Sequence, residues 1–170
     1  MNNELRITPS VVVRDFFQDL FGGLPQGDMT AIDRYMTPDV QAIVNGTTSP
    51  ELIQIMTWAG KHVGADAVKN FFIERMSRTV EILDVGTHEI IEQGTSAAFF
   101  GTLRIRARRT GAVIESEYAL RIRIRDGRIS EYHIFENTYH IAASFRVAGA
   151  WEVETAEGLR EVPRRAEDLR

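Results

Sequence analysis

The chain has 170 residues, of which 44% are hydrophobic and 26% are charged, and its formal net charge is −4. This length and composition predict one globular domain with a sizeable core. The sequence contains no cysteine, which excludes disulfides, thiol nucleophiles and thiolate metal ligands. No apolar run approaches the about 20 residues that cross a bilayer, and the first residues lack the features of a signal peptide. We therefore expect a cytoplasmic protein that binds no membrane.

The first half of the chain has the apolar spacing of helices. A helix is expected to begin at Thr8-Pro9-Ser10 and to be broken by the glycine pair at 22–23. The other elements expected in this half are a short helix after Asp28 that Pro38 ends, a strand over 40–45, a loop over 46–50 and an amphipathic helix over 64–76. Residues 51–62 give no clear pattern.

The second half has the alternating pattern of antiparallel strands. We expect strands near 80–92, 95–108, 113–125 and 128–136, and a short helix over 138–145. Helices followed by a run of strands predict an α+β fold rather than alternating βαβ units. We divide the chain into one domain over 1–146 and a charged extension over 147–170. Trp151 either pins this extension to the body or a partner, or the extension is loosely held.

Arginine occupies every second position in two of the predicted strands. The residues are Arg104, Arg106 and Arg108 in one strand and Arg121, Arg123 and Arg125 in the next. A period of two sends all of them to one sheet face. The expected cross-strand pairs are Arg106 with Glu115, Arg104 with Glu117, and Glu131 with Arg121 or Arg123. Because this face lacks the interleaved aromatic residues of a base-stacking surface, we predict an outer sheet surface and no nucleic-acid partner.

The opposite sheet face is apolar and carries two tyrosines and a carboxylate. By strand parity these are Tyr118, Tyr132 and Glu136. An apolar sheet face that helices cover is typical of a pocket for a hydrophobic small molecule. The residues expected to shape this pocket are Phe16, Tyr35, Trp58, Phe72, Phe99, Leu120 and Ile134.

Three segments resemble the SnoaL-like branch of the nuclear transport factor two and ketosteroid isomerase superfamily. They are FFQDL followed by GDMTAIDRYMTPDV, then MTWAGKHVGADAVKNFF, then IRIRDGRISEYHIFENTYHIAASF, and the resemblance covers about residues 10–146. It implies a cone-shaped fold in which a curved antiparallel sheet wraps around N-terminal helices and encloses a pocket. It also implies a homodimer that pairs through the outer sheet face.

The catalytic residues that enzymes of this superfamily use, their acids included, are absent at the matching positions. Phe16 stands where the isomerase has an oxyanion-hole tyrosine, and Val44 or Asn45 stands where it has its general-base aspartate. Ile134 stands where SnoaL-type cyclases and limonene epoxide hydrolase both carry a carboxylate. Asn137 replaces the family's aspartate before the threonine. These departures disfavour a steroid isomerase and a limonene-type hydrolase.

Five residues remain as candidates for catalysis. Glu136 would have a raised pKa beside an apolar cavity and would act as general acid or base; alternatively it is a solvated strand end. Tyr118 and Tyr132 would donate hydrogen bonds to a substrate oxygen, or they are core residues with wet tips. Asn45 would orient a water or a carbonyl, or only forms a turn. His62 would be a base near neutral pH, or an exposed loop histidine.

Two classes of function follow from this pattern. The first is an acid–base enzyme of isomerase, cyclase, dehydratase or epoxide hydrolase type that acts on a hydrophobic small molecule. The second is a non-catalytic homodimer that binds a small ligand in the same pocket. The four histidines are scattered and do not have the spacing of a metal site, so we expect neither a metal nor a cofactor.

Overall fold

The computed structural model describes residues 8–46 and 49–163. The helices are α1 Pro9–Gly23, α2 Thr30–Tyr35, α3 Pro50–Ile55, α4 Ala65–Asn70, α5 Ser77–Thr79 and α6 Thr138–Ser144. The strands are β1 Met36–Val44, β2 Gly60–Val63, β3 Val80–Gln93, β4 Ser96–Ala107, β5 Val113–Arg125, β6 Arg128–Glu136, β7 Ala150–Thr155 and β8 Gly158–Pro163. Part of the expected loop over 46–50 and the end of the chain lie outside the described residues. The same holds for the first seven residues, on which the expectation about a signal peptide rests.

Six strands form one curved sheet in the order β2–β1–β6–β5–β4–β3. All neighbours are antiparallel except β1 and β6, which run parallel. Helix α1 lies across the inner sheet face and contacts β3, β4, β5 and β6. The fully buried side chains of Phe16 and Leu20 fix this contact. The architecture is the α+β fold that the sequence predicts, with helices on the inner face of a curved sheet.

The four long strands of the second half are confirmed, and their parity is as predicted. The positions that alternate with the arginines, such as Ile105, Leu120 and Ile122, are buried. In the first half, the segment without a clear pattern contains α3 and β2. The strand expected over 40–45 begins earlier, at Met36, directly after α2. The carboxylate of Asp28 accepts a hydrogen bond from the Thr30 amide at 2.9 Å, as expected for a residue that begins a helix.

The amphipathic helix of the first half contains a π-helical turn. This turn spans Phe71–Met76 and lies between α4 and α5, so that the helical segment extends beyond the predicted end. A π-helical turn aligns residues five apart. Phe71 and Met76 have this spacing, and their side chains are buried in the core together with that of Phe72. The π-helical turn thus contributes three apolar side chains to the core.

The arginine ladder lies on the outer face, but part of its predicted register is wrong. Arg104 lies opposite Glu115, and Thr102, not Arg104, lies opposite Glu117. Arg106 lies opposite Val113 and forms its ion pair with Glu81 of β3 at 2.7 Å. The reason is the hairpin turn, which is centred one residue earlier than Thr110-Gly111. The shift of two residues keeps every side chain on its predicted face.

The sequence left open whether Glu131 lies opposite Arg121 or Arg123, and the structure answers this. Glu131 lies directly opposite Arg123 and forms ion pairs with both Arg121 and Arg123. A bulge follows Arg123 in this hairpin, and it sets which arginine lies opposite the acid. The ladder is therefore a network of charge pairs on the sheet surface.

The C-terminal segment from residue 150 forms a hairpin of β7 and β8. The ring of Trp151 makes an edge contact with Tyr139 of α6, with ring centres 5.1 Å apart. The guanidinium of Arg146 lies 4.5 Å from the centre of the Trp151 ring. These contacts attach the hairpin to α6. None of the helices within residues 8–46 and 49–163 has the length and apolar character needed to span a membrane.

Gly101 marks a place where β3 and β4 approach too closely for any side chain. A Cβ atom at this position would overlap the carbonyl oxygen of Gly86 and lie 2.9 Å from the ring of Tyr118. We predict that Gly101→Ala lowers the free energy of unfolding by about 1–3 kcal/mol, because backbone atoms must move to accommodate the methyl group. Urea unfolding followed by circular dichroism measures this change.

Gly22→Ala is the matched control for this substitution. Gly22 lies in α1, and nothing is within 4 Å of a Cβ atom built there. The control should be as stable as the wild type or more stable by up to about 1 kcal/mol, because alanine favours helix. Equal stability of the two variants would contradict the close approach at Gly101.

Candidate functional site

A pair of hydrogen bonds joins Asn45 and Glu136. Asn45 follows β1, and Glu136 ends the parallel neighbour β6. The Asn45 amide Nδ2 donates to the Glu136 carboxylate at 2.8 Å, and the backbone N–H of Glu136 donates to Asn45 Oδ1 at 2.9 Å. Asn45 adopts a φ of +59°, a left-handed conformation that asparagine tolerates better than most residues. Asn45 therefore forms a turn and contacts Glu136 at the same time.

The Glu136 carboxyl group lines a cavity between the sheet and the helices. Burial raises its pKa, although the hydrogen bond from Asn45 acts in the opposite direction. Loss of hydration destabilises the charged form of a carboxyl group, and one amide donor replaces only part of that hydration. Glu136 therefore holds its proton to a higher pH than an exposed glutamate does.

Two tyrosines share the cavity with Glu136. Tyr118 lies directly opposite Glu136 in the sheet, and its hydroxyl group is 3.0 Å from the hydroxyl of Thr87. Burial raises the pKa of Tyr132, and the nearby Glu136 carboxyl adds to this effect. Its hydroxyl makes no hydrogen bond to any residue that the structure describes. Tyr132 is thus a protonated, unused hydrogen-bond donor beside a carboxyl group.

The cavity is small and almost wholly apolar. Its volume is about 60 Å³. Its lining residues are Phe17, Phe21, Val44, Trp58, Phe71, Phe72, Met76, Ile82, Val85, Leu103, Tyr118, Leu120, Tyr132, Ile134 and Glu136. Glu136 is the only charged residue among them, so its charge state controls the electrostatics of the cavity.

The structure brings together most, but not all, of the residues that the sequence singles out for the pocket. Trp58, Phe72, Leu120 and Ile134 line the cavity with Tyr118, Tyr132 and Glu136, whereas the candidate Asn45 is not among the described lining residues. The other three lie elsewhere. Phe16 is fully buried in the core, Tyr35 donates from its hydroxyl to Asp19 at 2.9 Å, and Phe99 lines a neighbouring groove.

His62 is not among the described residues that line the cavity. It lies on β2, where its ring stacks on Phe71 with centres 5.0 Å apart and its Nε2 lies 2.9 Å from the Trp58 carbonyl oxygen. Burial lowers the pKa of His62. Both contacts are with cavity-lining residues, so the geometry gives His62 a supporting position behind the cavity wall.

The sequence does not single out several residues in or beside the cavity. Phe17 and Phe21 lie one helical turn apart on α1 and stack with ring centres 5.4 Å apart, but they flank the fully buried stripe of that helix. Thr87 lies in the irregular part of β3, where shifts in register obscure strand parity. An isolated glycine within a strand, Gly101, is the signal that could have indicated the close packing around Tyr118.

Residues 8–46 and 49–163 include no group of three or more histidines and carboxylates placed to hold a metal ion. The chemistry that the described cavity residues supply is that of a carboxyl group, two phenols and an amide. Glu136 can accept or donate a proton. Tyr118 and Tyr132 can donate hydrogen bonds to an oxygen atom that gains negative charge.

Solved structures with the same architecture cover most of the chain. A proposed isomerase from Rhodopseudomonas palustris superposes with a TM-score of 0.65 at 17% identity, over 75% of this chain and 90% of that one. A nuclear transport factor two-like protein from Burkholderia thailandensis gives 0.64 at 18% identity, over 82% and 98%. TerC, co-crystallised with polyporic acid, gives 0.59 at 21% identity, over 75% and 93%. These similarities show that the chain has the same fold as these proteins.

The sequence profile of the SnoaL-like domain matches residues 13–132. The chain belongs to the SnoaL-like family, as the resemblance of its segments indicates. No protein of curated function matches the chain.

The buried Glu136 carboxyl predicts a specific pH dependence of stability. Because its pKa is raised in the folded state, the unfolded chain ionises first, near pH 4.3. The free energy of unfolding then falls as pH rises from that value to the folded pKa, by at most about 1.4 kcal/mol per pH unit. We predict that Glu136→Gln removes this fall. Urea unfolding of variant and wild type between pH 4 and pH 8 measures the difference.

The difference should grow with pH and become constant above the folded pKa. Glu117→Gln, on the exposed outer face of β5, is the matched control and should retain the pH dependence of the wild type. A constant difference between Glu136→Gln and the wild type across this range would contradict the raised pKa.

Proposed function

We propose that the protein is an acid–base enzyme that acts on a hydrophobic small molecule without a cofactor. The observation that carries the proposal is the Glu136 carboxyl in an apolar cavity, where burial raises its pKa and Asn45 holds its position. A general base or acid is most effective when its pKa lies near the working pH. Raising a carboxyl pKa by burial is the physical way to reach that range.

The tyrosines complete the chemistry of this proposal. Glu136 would take a proton from carbon or from oxygen, and a carbonyl, hydroxyl or epoxide oxygen would accept hydrogen bonds from Tyr118 or Tyr132. Preorganised donors in an apolar cavity stabilise charge that develops in the transition state. This arrangement suits isomerisation, cyclisation, dehydration and epoxide opening alike, since each needs proton transfer beside an oxygen function. The co-crystal of TerC with polyporic acid supports a small-molecule ligand for this fold.

A non-catalytic binding protein is the second candidate. The observation that favours it is the absence of acids at the family's usual positions, which hold Val44 or Asn45, Ile134 and Asn137 in this chain. In this case the same cavity would bind a ligand through Tyr132 without turnover. The location in the cytoplasm stays a prediction from the sequence.

We further propose a homodimer that pairs through the outer sheet face. Phe100 and Phe135 are 38% and 49% exposed, and both lie directly opposite Ala119 in the sheet. An exposed apolar patch with a charged rim is typical of an interaction surface. A two-fold interface needs a surface that complements itself. The alternating arginines and glutamates around the patch meet this need, because the arginines of one copy would lie against the glutamates of the other.

For the enzyme, we predict that the protein accelerates solvent deuterium incorporation at the α-carbon of 2-tetralone, a hydrophobic ketone. Glu136→Gln should lower this rate by about 100- to 10,000-fold, because the variant lacks the proton acceptor. Proton NMR in deuterium oxide measures the exchange, and calorimetry measures binding. Glu117→Gln is the matched control and should leave the rate unchanged. Binding of 2-tetralone without any acceleration would reject the enzyme for this class of substrate and favour the binding protein.

For the dimer, we predict that Phe135→Lys converts a dimer into a monomer, because two lysine charges would meet in an apolar patch. Sedimentation velocity measures the mass of each species. Leu159→Lys is the control, since Leu159 is 72% exposed and lies on the C-terminal hairpin. A monomeric wild type, or a dimer that survives Phe135→Lys, would contradict this interface.

A further inference from the structure

The cavity at Glu136 is too small for a whole organic substrate. Its volume is about 60 Å³. Sites for small organic ligands in proteins have volumes of about 300–1,000 Å³. The cavity therefore accommodates only the reacting end of a molecule, and the rest of the molecule needs another space.

A groove of about 910 Å³ lies beside the cavity, between α1 and β3. Its floor continues the inner sheet face, with Val85, Ile90 and Phe99 among its lining residues. At one end, the backbone N–H of Ser10 donates to the Glu92 carboxylate and so ties the start of α1 to the end of β3. The groove has the volume that the cavity lacks.

A thin partition of side chains separates the groove from the cavity. Five residues line both spaces: Phe17, Phe21, Met76, Ile82 and Val85. Methionine is unbranched and adapts its shape easily. Met76 belongs to the π-helical turn and lines the same cavity as Glu136. We expect a change of side-chain rotamer in this layer to join the two spaces.

The charges of the groove indicate a neutral ligand. Its ionisable lining residues are two arginines, Arg14 and Arg108, and two acids, Glu81 and Asp84. Arg108 already donates from its Nε to the Ser77 carbonyl at 2.7 Å, and Glu81 is paired with Arg106. The balanced charges offer no net attraction to a charged tail, whereas the apolar floor favours a hydrocarbon tail.

We propose that groove and cavity form one ligand site for an elongated, neutral amphiphile, with Phe21 and Met76 selecting what reaches the inner end. The carbonyl or hydroxyl end of the ligand lies at Tyr118, Tyr132 and Glu136, and its apolar tail lies along α1 in the groove. This inference rests on the proposed function only in placing the polar end at Glu136. The length of the tail is then a specificity determinant of this protein.

Phenol, 4-butylphenol and 4-octylphenol are probes for this site, because they share a polar end and differ only in tail length. Calorimetry should show an affinity that rises with the tail by up to about fourfold for each methylene group that becomes buried. Arg14→Trp fills the groove from an exposed position on α1. It should lower the affinity for 4-octylphenol by about tenfold or more while leaving that for phenol within about twofold, because only the longer tail reaches Arg14.

Asp15→Trp is the matched control, since Asp15 is the next exposed residue on α1 and is not among the groove's described lining residues. It should bind all three phenols as the wild type does. Met76→Ala should speed the association of 4-octylphenol, measured by stopped-flow fluorescence, by thinning the partition. An affinity that stays constant from 4-butylphenol to 4-octylphenol, or an equal effect of Arg14→Trp and Asp15→Trp, would overturn the extended site. An unchanged association rate in Met76→Ala would overturn the role of the partition.

This binding test does not depend on turnover. Glu136→Gln should retain the dependence of affinity on tail length even though it loses proton transfer. Failure of the extended site is therefore distinguishable from failure of the proposed enzyme activity, which the 2-tetralone exchange measures.

Discussion

The parallel pairing of β1 with β6 is the constraint on which the site depends. It places Asn45, at the end of one strand, within hydrogen-bond distance of Glu136, at the end of the other. The two hydrogen bonds fix both the carboxylate and the backbone of Glu136. Inside the apolar cavity, burial raises the pKa of this carboxyl group, and the hydrogen bond from the Asn45 amide orients it. Without the β1–β6 pair, Glu136 would lack both hydrogen bonds to Asn45.

Close packing around Tyr118 is the second requirement of the site. Gly101 and Gly86 let β3 and β4 approach so closely that Thr87 reaches the Tyr118 hydroxyl group at 3.0 Å. The π-helical turn acts from the opposite side, since it directs Phe71, Phe72 and Met76 into the cavity. The walls therefore leave little space, and this is why the larger groove between α1 and β3 becomes relevant to any ligand of ordinary size.

The same alternation of residues organises both faces of the sheet. On the inner face it gathers Tyr118, Tyr132 and Glu136, and on the outer face it gathers charge pairs such as Arg123 with Glu131. A slip of one residue in register would exchange the two faces and bury the arginines. The charge pairs thus stabilise the register that the inner face requires, and their individual energies matter less, since exposed pairs contribute about 0–1 kcal/mol each.

The sequence by itself determined the α+β class, the four long strands, the face of each side chain and the inward position of Glu136, because strand parity and apolar spacing are local properties. Only the tertiary structure decided the partner of Glu136, since Asn45 and Glu136 are 91 positions apart and meet through a parallel pair that no local pattern reveals. The tertiary structure also places His62 and Phe16 outside the cavity lining, because their positions depend on helix packing. The cross-strand neighbours of Arg104 and Arg106 differ from the predicted ones, because they depend on turn geometry. Parity predicts the face on which a side chain lies, but packing decides what it touches.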